Sequence, residues 1–181
     1  MSIEALPQRV LGSIGILHEM DDDERRQLLD VAQRVAFDSG DVILRQGQCS
    51  QNLWIVLKGR CDVLMQPPDH QDGQAPIVLA VLEPYDSFGE MSFFDAAPHS
   101  ASVRAQTHVE LLRISRPQYD ALMENGSRAA CKLARNVIQS LAERLRRMDE
   151  WVCKLHGDDP VRAPVPEWDR LRNKLFDGWK L

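Results

Sequence analysis

The stretch Phe88-Gly89-Glu90-Met91-Ser92-Phe93-Phe94-Asp95-Ala96-Ala97-Pro98-His99-Ser100-Ala101-Ser102-Val103-Arg104-Ala105 decides how this chain is read. It opens on an aromatic residue, a glycine and a carboxylate. It passes through a short apolar run, turns near Pro98, and ends on a β-rich segment, Ala101–Ala105. Before it the chain alternates short β-rich runs with turn residues. After one more such run the pattern becomes helical.

The other β-rich runs are Val42–Leu44, Leu53–Leu57, Cys61–Met65, Ile77–Leu82 and Val109–Ile114. Turn residues at Ser39-Gly40-Asp41, Gln46-Gly47 and Lys58-Gly59 separate them. Short strands at this spacing predict a sandwich or barrel. The segment from Leu53 to Val63 reads as a hairpin pivoting on Gly59. Gln66–Ala75, with Pro67, Pro68 and Gly73, reads as an exposed hairpin tip.

Helices flank this β region. Aspartates 21–23 precede Leu28, Leu29 and Val31 at helical spacing, and acidic residues suit the free N–H groups and positive dipole end of a helix start. The expected helix is Asp22–Arg34, with a looser one within Ile3–Leu11. Ser115 caps a helix over Pro117–Glu124, where proline near the first turn costs no hydrogen bond. Asn125-Gly126 ends it. A long helix is then expected from Ser127 to about Leu155. Its apolar residues Ala134, Ile138, Leu141, Leu145, Met148, Val152 and Leu155 step alternately by four and three. That is a heptad seam, expected to pair with a second copy. Gly157–Pro166 reads as a linker, and Glu167–Trp179 as a short amphipathic helix carrying Trp168, Leu171, Leu175 and Trp179. The organisation expected is one domain over 1–156, including the long helix, and a tail over 157–181.

The bulk numbers limit what this protein does. Hydrophobic residues make up 44% of 181, enough for a sizeable core, and the net charge is −5. That charge gives no general attraction to nucleic acid or anionic membrane. The basic cluster Arg144-Leu145-Arg146-Arg147 reads as a solvated or paired helix face, so nucleic acid is not an expected partner. No apolar run approaches the roughly 20 residues of a membrane span, and no signal peptide is visible. Cys49, Cys61, Cys131 and Cys153 are scattered, which fits a reduced cytoplasm rather than a disulfide framework. Cys153 and His156 offer two metal ligands at helical spacing, too few for a closed site. There is no Gly-x-Ser-x-Gly, no His-Glu-x-x-His and no Walker loop, and nothing pairs a nucleophile with a base. An enzyme is not expected.

Phe88-Gly89-Glu90, followed by His99-Ser100-Ala101-Ser102-Val103-Arg104-Ala105, resembles the phosphate-binding cassette of the cyclic-nucleotide-binding domain family. The resemblance extends over roughly Val10–Leu155 and includes Gly40, Gly47 and Gly59. It implies a mainly β fold with helices: a jelly-roll-like β-roll, N-terminal helices, and a long C-terminal dimerisation helix. It implies a cyclic nucleotide ligand, cAMP or cGMP, held by Phe88, Gly89, Glu90, Met91, Ser92, His99, Ser100 and Ala101. The chemistry is consistent. Glycine lets backbone approach a ligand closely. N–H groups at a short helix start receive a phosphate. Glu90 matches the family's acceptor for a ribose 2′-hydroxyl.

Two positions depart from the family pattern. His99 stands where the family has an arginine for the cyclic phosphate, and imidazole lacks the guanidinium's fixed charge and fork. Met148 and Asp149 fall where the activator-type relatives contact the purine, so Asp149 is a candidate acceptor for an exocyclic amine. Those relatives also carry a winged helix-turn-helix after the long helix. Gly157–Leu181 is shorter than the roughly 60 residues expected for such a module, so transcription control of that kind is not expected. Two functions remain open on this sequence. One is a cytoplasmic ligand sensor acting through the long helix on a partner protein. The other is a ligand-free dimeric scaffold.

Overall fold

The computed structural model describes residues 11–66 and 75–157. The expected helix within Ile3–Leu11 falls almost wholly outside them. So do most of the Gln66–Ala75 tip, nearly all of the 157–181 tail, and the side chains of Val152 and Leu155. The chain divides into two compact units, Met1–Ser140 and Leu141–Leu181.

In the first unit a 3₁₀ turn at Gly15–Leu17 leads into helix α1, Asp22–Val31. Asp21 caps α1, accepting from the Glu24 N–H at 2.9 Å, while Glu24 reaches back to the Asp21 N–H. This capping box satisfies two donors that a helix start leaves free. The helix was expected to reach Arg34, but it stops at Ala32, because Gln33–Phe37 enters a sheet as strand β1. Arg34 pairs with Leu112 there, and tertiary pairing overrides local helical preference.

Seven further strands follow: β2 Val42–Leu44, β3 Asn52–Lys58, β4 Cys61–Met65, β5 Ile77–Leu82, β6 Ser87–Phe88, β7 Ser102–Ala105 and β8 Val109–Ser115. They form two antiparallel four-stranded sheets, ordered β1-β8-β3-β6 and β2-β7-β4-β5. β3 and β4 therefore belong to different sheets, and the hairpin expected at Gly59 is not formed. Gly59 is instead where the chain crosses between the sheets. It has φ +83°, and a Cβ there would lie 2.3 Å from the His108 carbonyl oxygen, a space only glycine fits. The Arg60 carbonyl accepts from the Gln106 N–H at 2.8 Å, tying this crossing to the β7–β8 turn. β4 and β5 do pair as the hairpin expected on either side of the 66–75 loop.

The sheets enclose a core of Leu44, Trp54, Val56, Cys61, Leu82, Phe88, Val103, Ala105, Val109 and Leu111. Burial pushes the Cys61 thiol up to about 11, with Asp62 adding to the shift. Trp54 stacks on Phe88 and meets Phe37 edge-on.

Helix α2 spans Glu90–Asp95 and α3 spans Arg116–Glu124, the latter with Ser115 at its N-cap and Pro117 in its first turn. Helix α4 runs Arg128–Gly157, close to the expected bounds. Within the first unit α4 buries Ala129, Ala130, Leu133 and Val137, and leaves Ile138 66% exposed. Asn136 donates to the carbonyls of Ile16 and His18 at 3.1 and 2.7 Å, and Lys132 pairs with Glu24. These bonds fasten the N-terminal turns to α4. In the second unit Leu145 and Met148 are 50% and 63% exposed, and Asp149 is also exposed. No described helix is long and apolar enough to cross a membrane.

Candidate ligand site

The decisive stretch folds as strand β6, helix α2, a turn, and strand β7. Gly89 is the N-cap of α2 with φ +85°. A Cβ at Gly89 would meet the Asn52 carbonyl oxygen at 2.5 Å and Trp54 Cδ1 at 3.3 Å. Backbone thus passes backbone where the next residue presents a carboxylate. Ala96, at the C-cap, is also left-handed at φ +59°. A non-glycine residue in this region stores strain, and such strain is characteristic of binding segments.

The structure sorts the sequence-predicted residues by accessibility. Phe88, Glu90, Ser92 and His99 are buried, Gly89 and Ala101 are half-buried, and Met91 and Ser100 are exposed. The Ser100 hydroxyl lies 3.9 Å from Met91 Sδ across the turn. Gly89, Met91, Ser100 and Ala101 therefore form the accessible rim, and Phe88 belongs to the core beneath it.

His99 turns inward. Its Nδ1 is 2.9 Å from Ser92 Oγ and its Nε2 is 2.8 Å from Ser50 Oγ. A neutral imidazole has one donor and one acceptor nitrogen, so one serine donates to it and the other accepts. Burial pushes its pKa below the ordinary histidine value, which keeps the ring neutral at pH 7. Its backbone is held as well: the His99 N–H donates to Gln48 O at 2.9 Å, and the Gly47 N–H donates to His99 O at 2.9 Å.

The sequence reading missed the partner of this segment, residues 46–51 of the β2–β3 loop. Besides Gly47, Gln48 and Ser50, this loop contributes Gln46, whose N–H donates to Ser102 Oγ at 2.9 Å. Gln51 Nε2 reaches Phe93 O at 3.3 Å. Arg116 was also missed. Its Nη1 donates to Phe93 O at 2.9 Å and its Nε to Asp120 at 2.7 Å, and its guanidinium lies over the Phe93 and Tyr119 rings. A cation at the C-terminal end of α2 complements the free carbonyls there. Only the turn signal at Gln46-Gly47 hinted at the loop, and no local pattern marks Arg116. Among the described residues no group of three or more His, Cys, Asp or Glu side chains could hold a metal ion.

Comparison with known proteins bears on this arrangement. Residues 34–125, about half of the chain, match the family model described as cyclic nucleotide-binding domain. A cAMP-dependent protein kinase regulatory subunit of Dictyostelium discoideum is 29% identical over 119 residues, covering 65% of this chain and 36% of that protein. The counterpart from Schizosaccharomyces pombe is 26% identical over 66% of this chain and 27% of its own length, so the chain spans about a third of these relatives. Among solved structures, the Thermus thermophilus catabolite activator protein matches with TM-score 0.69 and 31% identity, over 78% of this chain and 63% of that one. A cyclic nucleotide-binding domain from Methylobacillus flagellatus matches with TM-score 0.71 and 21% identity, over 87% and 84%, a likeness of fold. With two four-stranded antiparallel sheets, a glycine-led helix between β6 and β7 and a helix following the roll, the chain belongs to the cyclic nucleotide-binding domain family.

Proposed function

We propose that this protein is a ligand-responsive regulatory module of the cytoplasm. A small molecule of the nucleotide class, for which cAMP and cGMP are the first candidates, enters at Gly89, Met91, Ser100 and Ala101. Glu90 accepts from its sugar hydroxyls. The observation that carries this reading is the approach at Gly89. There φ is positive and an added Cβ would lie 2.5 Å from Asn52 O, directly before the carboxylate of Glu90. The long helix α4 passes the signal to a second copy of the chain through Ala134, Ile138, Leu141, Leu145, Met148, Val152 and Leu155, and onward to a protein partner. A ligand acts only through different affinity for two states, and in this proposal α4 is the element with two states. The relatives named as kinase regulatory subunits support a regulatory role.

The test is thermal melting with nucleosides, cyclic mononucleotides and cyclic dinucleotides. A ligand of the native state raises the midpoint at saturation. At least one compound should do so, and Glu90→Ala should abolish the shift. If no compound in the panel moves the midpoint, the ligand-sensor reading fails and the scaffold reading stands in its place.

A further inference from the structure

The charges around the rim are unusual for a site meant to hold an anion. The β2–β3 loop, residues 45–51, carries one cation, Arg45 at its first position, and the segment from Phe88 to Val103 carries none. The same two segments contain two carboxylates, Glu90 and Asp95. Two nearby cations have other work. Arg104 pairs with Asp62 at 3.3 Å, and Arg116 is spent on Phe93 O and Asp120. Arg45 stands exposed just beyond β2.

His99 adds no charge and no free donor. Both ring nitrogens are taken by serine hydroxyls at 2.8 and 2.9 Å, and the residue is only 6% exposed. A phosphate reaching this ring would have to break one of those bonds. The ring is also neutral, because burial opposes its protonation. The Ser50–His99–Ser92 chain thus joins the loop to α2, and the rim residues Gly89, Met91, Ser100 and Ala101 carry no charged side chain. Groups of that kind suit sugar hydroxyls and ring nitrogens. They give an anion no opposite charge.

We propose that His99, locked between Ser50 and Ser92, sets the ligand class of this pocket, so that it takes an uncharged nucleoside-like molecule in preference to the corresponding cyclic phosphate. This rests on the ligand-site reading above and narrows it. His99 acts as a positioning and specificity-determining residue, not as a ligand contact.

Isothermal titration calorimetry on the full chain tests it with matched pairs, adenosine against cAMP and guanosine against cGMP. In one pair at least, the nucleoside should bind about tenfold or more tightly than its cyclic phosphate, the scale of one charge-assisted hydrogen bond. His99→Arg should reverse that preference, because a guanidinium supplies a fixed charge and a donor fork that suits a phosphate. His99→Gln, neutral and able to keep one serine bond, should retain the nucleoside preference and so separates charge from loss of the brace. Tighter binding of the cyclic phosphate to the unaltered chain overturns this inference and leaves the sensor reading intact. Failure of both members of both pairs to bind overturns it as well, and the sensor reading then falls or stands on the wider panel.

Discussion

Ser92 Oγ lies 2.9 Å from His99 Nδ1, so two residues seven apart close the segment between α2 and β7 on itself. The other ring nitrogen carries the connection on to Ser50, 49 residues from His99 in the chain. One imidazole therefore holds the segment from α2 to β7 and the β2–β3 loop in register.

Removing the ring should loosen both. His99→Ala leaves the buried Ser92 hydroxyl without its partner and opens a gap beneath the turn. A loss of about 2–3 kcal/mol is expected from one orphaned buried group and one lost bond. Urea unfolding at neutral pH measures it. His99→Gln should recover part of the loss, and equal midpoints for the alanine variant and the parent would rule the brace out.

The same residue sets a pH dependence. Its folded-state pKa is lowered by burial, so the unfolded chain binds the proton more readily. Its contribution to stability is complete above the unfolded value of about 6.5. It is lost progressively as pH falls from there through the folded-state pKa. Melting midpoints between pH 7.5 and 5.5 should decline, and His99→Gln should flatten the decline in this window. Parallel profiles would show that another group is responsible.

Gly89→Ala attacks the approach of backbone to backbone. The added Cβ meets Asn52 O at 2.5 Å from a backbone at φ +85°. Left-handed strain and overpacking together should cost more than about 2 kcal/mol. Ligand-induced stabilisation, if present in the parent, should disappear with it. A folded variant with full ligand response would show that the close approach is dispensable.

Arg116 holds the far end of α2. Arg116→Ala removes the donors to Phe93 O and Asp120 and the cation over two rings. The expected loss is about 1.5–3 kcal/mol, as for a hydrogen bond to a charged group. Hydrogen exchange should show faster opening at residues 90–95 than at β8. Uniform acceleration across the chain would indicate a global effect only.

The proposed seam of α4 is checked by association. Replacing Leu141 and Leu145 by Asp should give monomers by light scattering where the parent gives dimers. The exposure of Ile138, Leu145 and Met148 is what such a seam requires of a single copy. A parent that is already monomeric, or a variant that stays dimeric, rejects the seam.

Much of the fold was legible because it is written in local patterns. Val42–Leu44, Cys61–Met65 and Ile77–Leu82 have the bounds read from their composition. Helix α3 starts one residue before the expected point, on the expected Ser115 cap. β-branched runs, cap residues and the glycine before Glu90 act within a few residues of themselves, so sequence alone displays them. β1 was misread because Gln33–Phe37 becomes a strand only by pairing with β8, more than seventy residues away. Gly59 was read as a hairpin turn because sequence shows that a chain bends, not which sheet it bends into.

The sequence by itself determined the β-roll, the family's cassette segment within it, and the presence of histidine at residue 99. Only the tertiary structure decided what that histidine does. Its partners Ser50 and Ser92 carry no periodic signal, and closure of the roll is what brings residues 46–51 against α2. Burial then keeps the ring neutral, because an ion is stabilised far less inside the fold than in water. A residue legible as a weak substitute for a cation is, in the folded chain, a fixed and uncharged brace.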